Sequence, residues 1–572
     1  MKLGLVVILL LSSGVSRAGA AADSLVHTTP EGIVLTVTAD GLSSIMVGDR
    51  QLAVGGLYAW NASQWFGAAS GPIAFSWYCH DFAPKLAAQV KEKSIEILGP
   101  DHARVRQAGG DVTTTFDYQF TGEDLSVTAR IENNHPTDAI PVPALGGLKF
   151  TFAKAPEGML PYWHMSYTQA HGIGLMHPSH AIRIGGSYGI DGQVGVGLSP
   201  QRAAWEYTMF FWDVDDWNKL RDKGPGRWLN YLTARPIPAG GALTIGFTLR
   251  VSRQQTWEHL LQPYKDYFLS AYGPLRYKPD HRWVVMANVN RSVADIGPTN
   301  PYGLHPDFRR LDLPDMAKKF GDIVLPALKD HHGQGVLIWG HTGENPHGAM
   351  YRADFDVIPP EIDENLVTLA KRFNDEKVQF GVATRPGEMA IHGTWKEDWT
   401  VAVNPDDPQQ LDIMWGRFKH MIDKGCTIFY LDSFGNSLEH ARIMRYLREK
   451  MGPNIGTYVE QQCDVTLPFS GIYTETDFWA KGSADWVSES GYSPRVGLDN
   501  LRIYRWLLGD VGVVTRLYDV HGKIPDGFED ATTFFYKNHM TPLIPDFMAP
   551  KSGIDAEKVQ MQYVTDAGAS KE

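Results

Sequence analysis

The chain has 572 residues, 43% of them hydrophobic and 21% charged, and a formal charge of −12 at neutral pH. This length carries several domains and a large apolar core. The acidic balance argues against nucleic acid or an anionic membrane as partner. The three cysteines, Cys79, Cys426 and Cys463, are too few for a disulfide framework and read as buried free thiols.

Residues 1–22 have the form of a signal peptide: Lys2, an apolar run from Leu3 to Val15, then the small residues Ala18, Gly19 and Ala20 at a cleavage site. That run is too short to span a bilayer, so the expectation is a secreted or periplasmic soluble protein without a membrane span. From 23 to 253 the chain alternates apolar and polar residues in runs such as "GIVLTVTAD", "DVTTTFDYQF" and "ALTIGFTLRVS", separated by Gly, Pro, Asn and Asp. Period-two runs with such breaks predict an antiparallel β-sandwich. Residues 254–282 predict a linker helix interrupted at Pro263.

From 283 to 548 short apolar strands alternate with amphipathic helices. The strands are read at 283–289, 335–339, 379–384, 427–432, 455–459, 485–488, 511–516 and 542–547. Eight strands in this span predict a (β/α)8 TIM barrel. A doubly wound sheet is the rival, but its glycine-rich phosphate turn is missing after "WVVMANV". The fold class is therefore multidomain β plus α/β, with a polar tail at 549–572.

The C-terminal strand ends of such a barrel carry its chemistry. Here they deliver Asn288, then Trp339 and His341, then Arg385, Asp432, Glu460, Glu489 with Tyr492, and Asp519. The set contains carboxylates, aromatics and hydrogen-bonding groups. It holds no metal-ligand cluster, serine elbow or phosphate loop, so neither metal nor cofactor is expected. Glycoside hydrolysis needs two carboxylates and groups that hold a sugar. The 17 Trp and 23 Tyr suit sugar stacking or simply a large core. Asp432 follows "TIFYL" where the strand leaves the barrel; it reads as catalytic or as a helix cap, with the next helix starting more plausibly at Asn436 or Ser437. Glu460 ends the neighbouring strand, and Glu489 ends the sixth in this reading. Either could be the acid/base, or an ion-pair or substrate partner. Trp339 reads equally as sugar platform or core residue, and Arg385 as an orienting ion-pair partner or a substrate ligand.

A β-sandwich, a linker helix and a barrel with "FYLD" at its fourth strand resemble the α-galactosidase-type clan of retaining α-glycosidases. The resemblance implies Asp432 as nucleophile and an aspartate on strand six as acid/base. Here "WVSESG" has no such aspartate, which shifts that role to Glu489. "FYLDSFGN", a helix, then "GTYVEQQ" is similar in local layout to the endo-α-N-acetylgalactosaminidase family, which implies Glu460 instead. The resemblance covers about residues 425–465 and the two-domain plan. The expected activity is double displacement on an α-linked oligosaccharide or glycoconjugate, an α-N-acetylgalactosaminide or α-galactoside. The alternatives are a carbohydrate-binding protein on a glycosidase scaffold and an exo-acting α-galactosidase-like enzyme using Glu489 as acid/base.

Overall fold

The computed structural model describes residues 23–61, 89–141, 143–151, 194–201, 235–279, 334–343, 358–390, 400–435, 437–460, 464–474 and 503–516. Shorter pieces are described at 165–167, 174–176, 187–189, 207–213, 227–233, 284–288, 297–302, 321–322, 324–326 and 541–544. The predicted signal peptide and tail lie outside these residues. Among the described residues, no helix is long and apolar enough to cross a membrane.

The N-terminal part builds two antiparallel sheets of eight and seven strands. The first runs Ser24–Thr28, Ile33–Thr38, Gly41–Val47, Arg50–Val54, Pro143–Phe150, Arg227–Thr233, Tyr207–Asp213, with Tyr58–Asn61 also on Pro143–Phe150. The second runs Ser187–Gly189, Gly195–Pro200, Ala242–Ser252, Asp124–Asn133, Val112–Thr121, His102–Gly109, Glu92–Gly99. Alternate residues of each strand meet in one cluster. Ile33, Leu35 and Val37 come from the first sheet, and Leu125, Val127, Ala129 and Ile131 from the second. Period-two sequence thus becomes one apolar face per sheet, buried against the other.

Eight parallel strands form a closed barrel. They are β1 (Val284–Asn288), β2 (Gly335–Trp339), β3 (Gln379–Thr384), β4 (Ile428–Leu431), β5 (Gly456–Val459), β6 (Gly471–Thr474), β7 (Val513–Arg516) and β8 (Thr541–Ile544), and β8 pairs with β1. The sixth strand departs from the sequence reading. Residues 485–488 lie outside the described residues, and Gly471–Thr474 occupies the place between β5 and β7. A 3-10 turn at Asp464–Thr466 stands in the β5–β6 connection.

The linker helix α1 (Trp257–Tyr272) also corrects the sequence reading, for it runs unbroken through Pro263. Proline removes the N–H that would bond the carbonyl four residues back. That carbonyl belongs to His259, and Arg250 Nη1 donates to it at 2.9 Å. The same guanidinium makes a two-point pair with Asp124, at 2.7 and 2.8 Å. The N-terminal domain thereby supplies the bond that the proline lacks.

Helix α1 serves both halves of the protein. Leu261, Tyr264 and Phe268 join the core around the barrel, and the Tyr264 hydroxyl donates to buried Asp464. Its other side lies on Gly195–Pro200. A Cβ on Gly197 would stand 2.1 Å from the Leu260 carbonyl oxygen, so glycine there is what allows the helix to seat. Gly197→Ala is expected to lower stability by about 1–3 kcal/mol through overpacking. Gly416→Ala, inside the helix at Pro408–Asp423 with open space around it, is expected to raise it by about 0.4–1 kcal/mol. Urea midpoints of the two variants against the parent check both signs.

Candidate active site at the C-terminal end of the barrel

Alternation decides which side chains enter the barrel. Leu337 and Trp339, Ala383, Ile428 and Tyr430, Tyr458, and Val514 form the inner cluster. Val336 and Ile338, Phe380 and Val382, Phe429 and Leu431, Val459, Ile472 and Val513 join the outer one. Two residues beyond each inner residue the same parity reaches His341, Arg385, Asp432 and Glu460. All four sit past the C-terminal ends of β2, β3, β4 and β5 in the parallel ring.

Backbone pairing extends into these tips. The Asp432 N–H donates to the Thr384 carbonyl at 2.8 Å and the Glu460 N–H to the Leu431 carbonyl at 3.0 Å. Asp432 is 5% exposed. Arg385 Nε donates to its Oδ2 at 2.7 Å, so two adjacent strand ends are joined by a largely buried ion pair. Beneath them Trp339 and Tyr430 meet with ring centroids 5.4 Å apart. Trp339 is buried in this packing. His341 is wholly buried, and burial pushes its imidazole down to about 3, which leaves the ring neutral at ordinary pH.

The backbone after Asp432 turns sharply. Ser433 has φ 50° and Gly435 φ 111°. A non-glycine residue in that region costs on the order of 1 kcal/mol and persists where its surroundings hold it. Two contacts do so. Glu460 Oε2 accepts the Ser433 N–H at 2.5 Å. His440 Nδ1 accepts the Gly435 N–H at 3.1 Å, while the His440 ring stacks on Phe434 with centroids 4.4 Å apart. Helix α5 (Leu438–Met451; α2–α4 being Pro360–Asp363, Leu366–Asp375 and Pro408–Asp423) is capped by Ser437, whose hydroxyl accepts from the His440 N–H. Ser437, not Asp432, is therefore the cap, which leaves the aspartate available for chemistry.

Of the residues predicted from sequence, the structure gathers Asp432, Glu460, Arg385, His341 and Trp339 at one barrel end. Asn288 closes β1, with only its backbone described. Glu489, Tyr492 and Asp519 lie outside the described residues. The sequence reading misses His440 as a loop support. Its signal is a histidine three residues after the Ser437 cap, close behind the glycine of "DSFG". Among the described residues, no group of three or more His, Cys, Asp or Glu is placed to hold a metal ion.

No family model matches the chain, and no curated protein matches it. Solved structures do. The ligand-free α-N-acetylgalactosaminidase NagBb from Bifidobacterium bifidum superposes with a TM-score of 0.56 at 12% identity, covering 95% of this chain and 92% of that one. Its GalNAc complex gives 0.55 at 12% identity, with 96% and 92% covered. The α-galactosidase TtGalA from Thermus thermophilus, in complex with stachyose, gives 0.42 at 12% identity, with 83% and 99% covered. The fold is one found in glycoside hydrolases.

His440 makes the loop sensitive to acid. Burial lowers its pKa from 6.5 to about 4. A depressed folded-state pKa gives stability that is fully present above about 6.5 and lost as pH falls through the window toward 4. His440→Asn keeps an acceptor near the Nδ1 position and cannot titrate. Its stability, followed by urea denaturation, is expected to fall less steeply across that window than the parent's.

Proposed function

We propose that this protein is an exported retaining glycoside hydrolase acting on α-linked glycans, with Asp432 as nucleophile in a (β/α)8 barrel behind a β-sandwich. One observation carries the reading: a buried carboxylate at the C-terminal end of a central parallel strand, oriented by Arg385 at 2.7 Å. Such a group is fixed in position before substrate arrives, as nucleophilic catalysis requires. Export rests on the character of residues 1–22. The substrate we favour is an α-N-acetylgalactosaminide, the class named for an enzyme whose fold aligns over 95% of this chain at a TM-score of 0.56 and 12% identity.

In the first step an Asp432 oxygen attacks the anomeric carbon. The bond from that carbon to the glycosidic oxygen breaks, and the departing oxygen keeps the electron pair and takes a proton from a second carboxyl. The ester so formed is opened by water, which gives its proton to the same second carboxylate as it attacks the anomeric carbon and frees Asp432. No metal or cofactor enters these steps.

Two carboxyls compete for the second role. Glu460 lies on the adjacent strand end, as the sequence reading proposes. Its Oε2, however, accepts the Ser433 N–H, a contact that favours the ionised carboxylate. The placement of β6 at Gly471–Thr474 favours a different residue, because Glu475 follows Thr474 directly in the chain. Glu475 itself lies outside the described residues, so the assignment rests on its place in the chain. We therefore assign proton transfer to Glu475 and loop support to Glu460, ahead of Glu489.

Asp432→Asn is expected to lower kcat at least about 10⁴-fold on p-nitrophenyl α-N-acetylgalactosaminide while leaving the thermal midpoint near the parent's. Full turnover in that variant would end the assignment. Glu475→Gln is expected to retain glycosylation by substrates with acidic phenol leaving groups, which depart without a proton, and to lose it for alkyl glycosides. If Glu460→Gln shows that split instead, the two roles exchange. Lack of turnover by the parent on any α- or β-glycoside of a chromogenic panel would favour a carbohydrate-binding protein on this scaffold.

A further inference from the structure

The connection between β5 and β6 spans only residues 460–470, and its described core is the 3-10 turn Asp464–Thr466. In a (β/α)8 ring a helix normally follows each strand. Here the helix that meets this connection is α1, from outside the barrel sequence. The Tyr264 hydroxyl donates to Asp464 Oδ2. Tyr272 packs against Val465 and Ala441. Just past the helix, the Arg276 N–H donates to the Pro468 carbonyl at 2.8 Å, and its guanidinium lies over the Phe469 ring, 5.5 Å from the centroid.

The other end of this turn reaches the loop after Asp432. Asp464 is 1% exposed, and both its carboxyl oxygens are engaged: Oδ2 by Tyr264, and Oδ1 by the Val465 N–H at 2.9 Å. Wholly buried Thr466 donates its hydroxyl to the Gly435 carbonyl at 3.1 Å. Its own carbonyl accepts the Phe469 and Ser470 N–H groups at 3.0 and 3.1 Å. Gly435 stands three residues after Asp432. A buried polar network of this kind is rigid, because displacement breaks bonds that water is not there to replace. A continuous line of hydrogen bonds and chain thus runs from α1, seated on the N-terminal strand Gly195–Pro200, to the segment that presents Asp432.

We propose that Thr466 and Tyr264 are positioning residues of the active site, which set the Asp432 segment through the Asp464–Thr466 turn and so make the seating of α1 on the N-terminal domain part of the catalytic apparatus. The inference rests on the reading of Asp432 as nucleophile. Attack on an anomeric carbon needs the reacting atoms closely aligned, so a displaced carboxylate loses rate before the protein loses affinity. A purely structural role would lower stability and leave the kcat of the folded protein alone.

The test uses the full chain. Thr466→Val keeps the shape and removes the hydroxyl, Thr466→Ser keeps the hydroxyl, and Tyr264→Phe acts from the far end of the line. On p-nitrophenyl α-N-acetylgalactosaminide, Thr466→Val is expected to lower kcat about tenfold with KM near the parent's, and Thr466→Ser to restore most of the rate. Tyr264→Phe is expected to lower kcat several-fold. The double variant Tyr264→Phe/Thr466→Val should be no slower than Thr466→Val, since both act through one turn. Hydrogen exchange read by mass spectrometry follows the loop without any turnover. Residues 431–435 should exchange faster in Thr466→Val and Tyr264→Phe, with β3 unchanged. Parental kcat in both single variants, rate losses that multiply in the double variant, or parental exchange at 431–435 overturns the inference. Should Thr466→Val not fold, Tyr264→Phe carries the same decision. If Asp432→Asn keeps full turnover, or the parent has none, the nucleophile reading fails, and exchange alone decides whether Thr466 and Tyr264 hold the segment.

Discussion

A strand in a closed barrel has no solvent face. One row of its side chains fills the interior and the other meets the surrounding layer, and the pleat allows no third choice. This constraint selects almost everything that matters in the C-terminal half. It puts Ile428 and Tyr430 inside and Phe429 and Leu431 outside. When the apolar requirement ends at Leu431, the next inward position is Asp432. The aspartate is buried because Tyr430 is buried two residues before it. Arg385 stands in the same relation to Ala383 on the neighbouring strand, so the pleat brings the two charges together.

The loop after the aspartate is the strained part of this arrangement. Its left-handed Ser433 is tied to the fifth strand by Glu460, and Gly435 to helix α5 by His440. Thr466 adds a hydroxyl bond to the Gly435 carbonyl at 3.1 Å, from the turn before β6. Three successive elements thus hold four residues of backbone. The position of the Asp432 carboxylate is a property of this whole network as well as of its own strand.

Much of this is legible in the sequence where burial on both faces writes a continuous apolar run. "GVLIW" and "QFGVAT" coincide with β2 and β3 because every residue in them is buried. The sixth strand is not legible in that way. "GIYT" is only four residues long, begins with glycine and follows a 3-10 turn, so neither run length nor a preceding helix announces it. "DWVS" carries stronger β-formers and draws the assignment downstream, and Glu489 with it. Pro263 misleads for another reason. Local propensity is set within the helix, whereas the compensating donor, Arg250, comes from a strand of the other domain. Glu460 is legible as a strand-end carboxylate, but its bond to Ser433 depends on a backbone angle that no side-chain pattern records.

The helix at 257–272 is shared property. Removing everything before it would expose the side of α1 that meets Gly195–Pro200 and strip His259 of its substitute donor. Ending the chain at the last strand of the seven-stranded sheet would uncover Gly195 and Gly197 and leave the barrel without Leu261, Tyr264 and Phe268. Neither cut yields two finished surfaces. What looks in the sequence like a convenient joint between a β module and an α/β module is, physically, a piece of interior common to both. That shared interior couples the packing of the two halves.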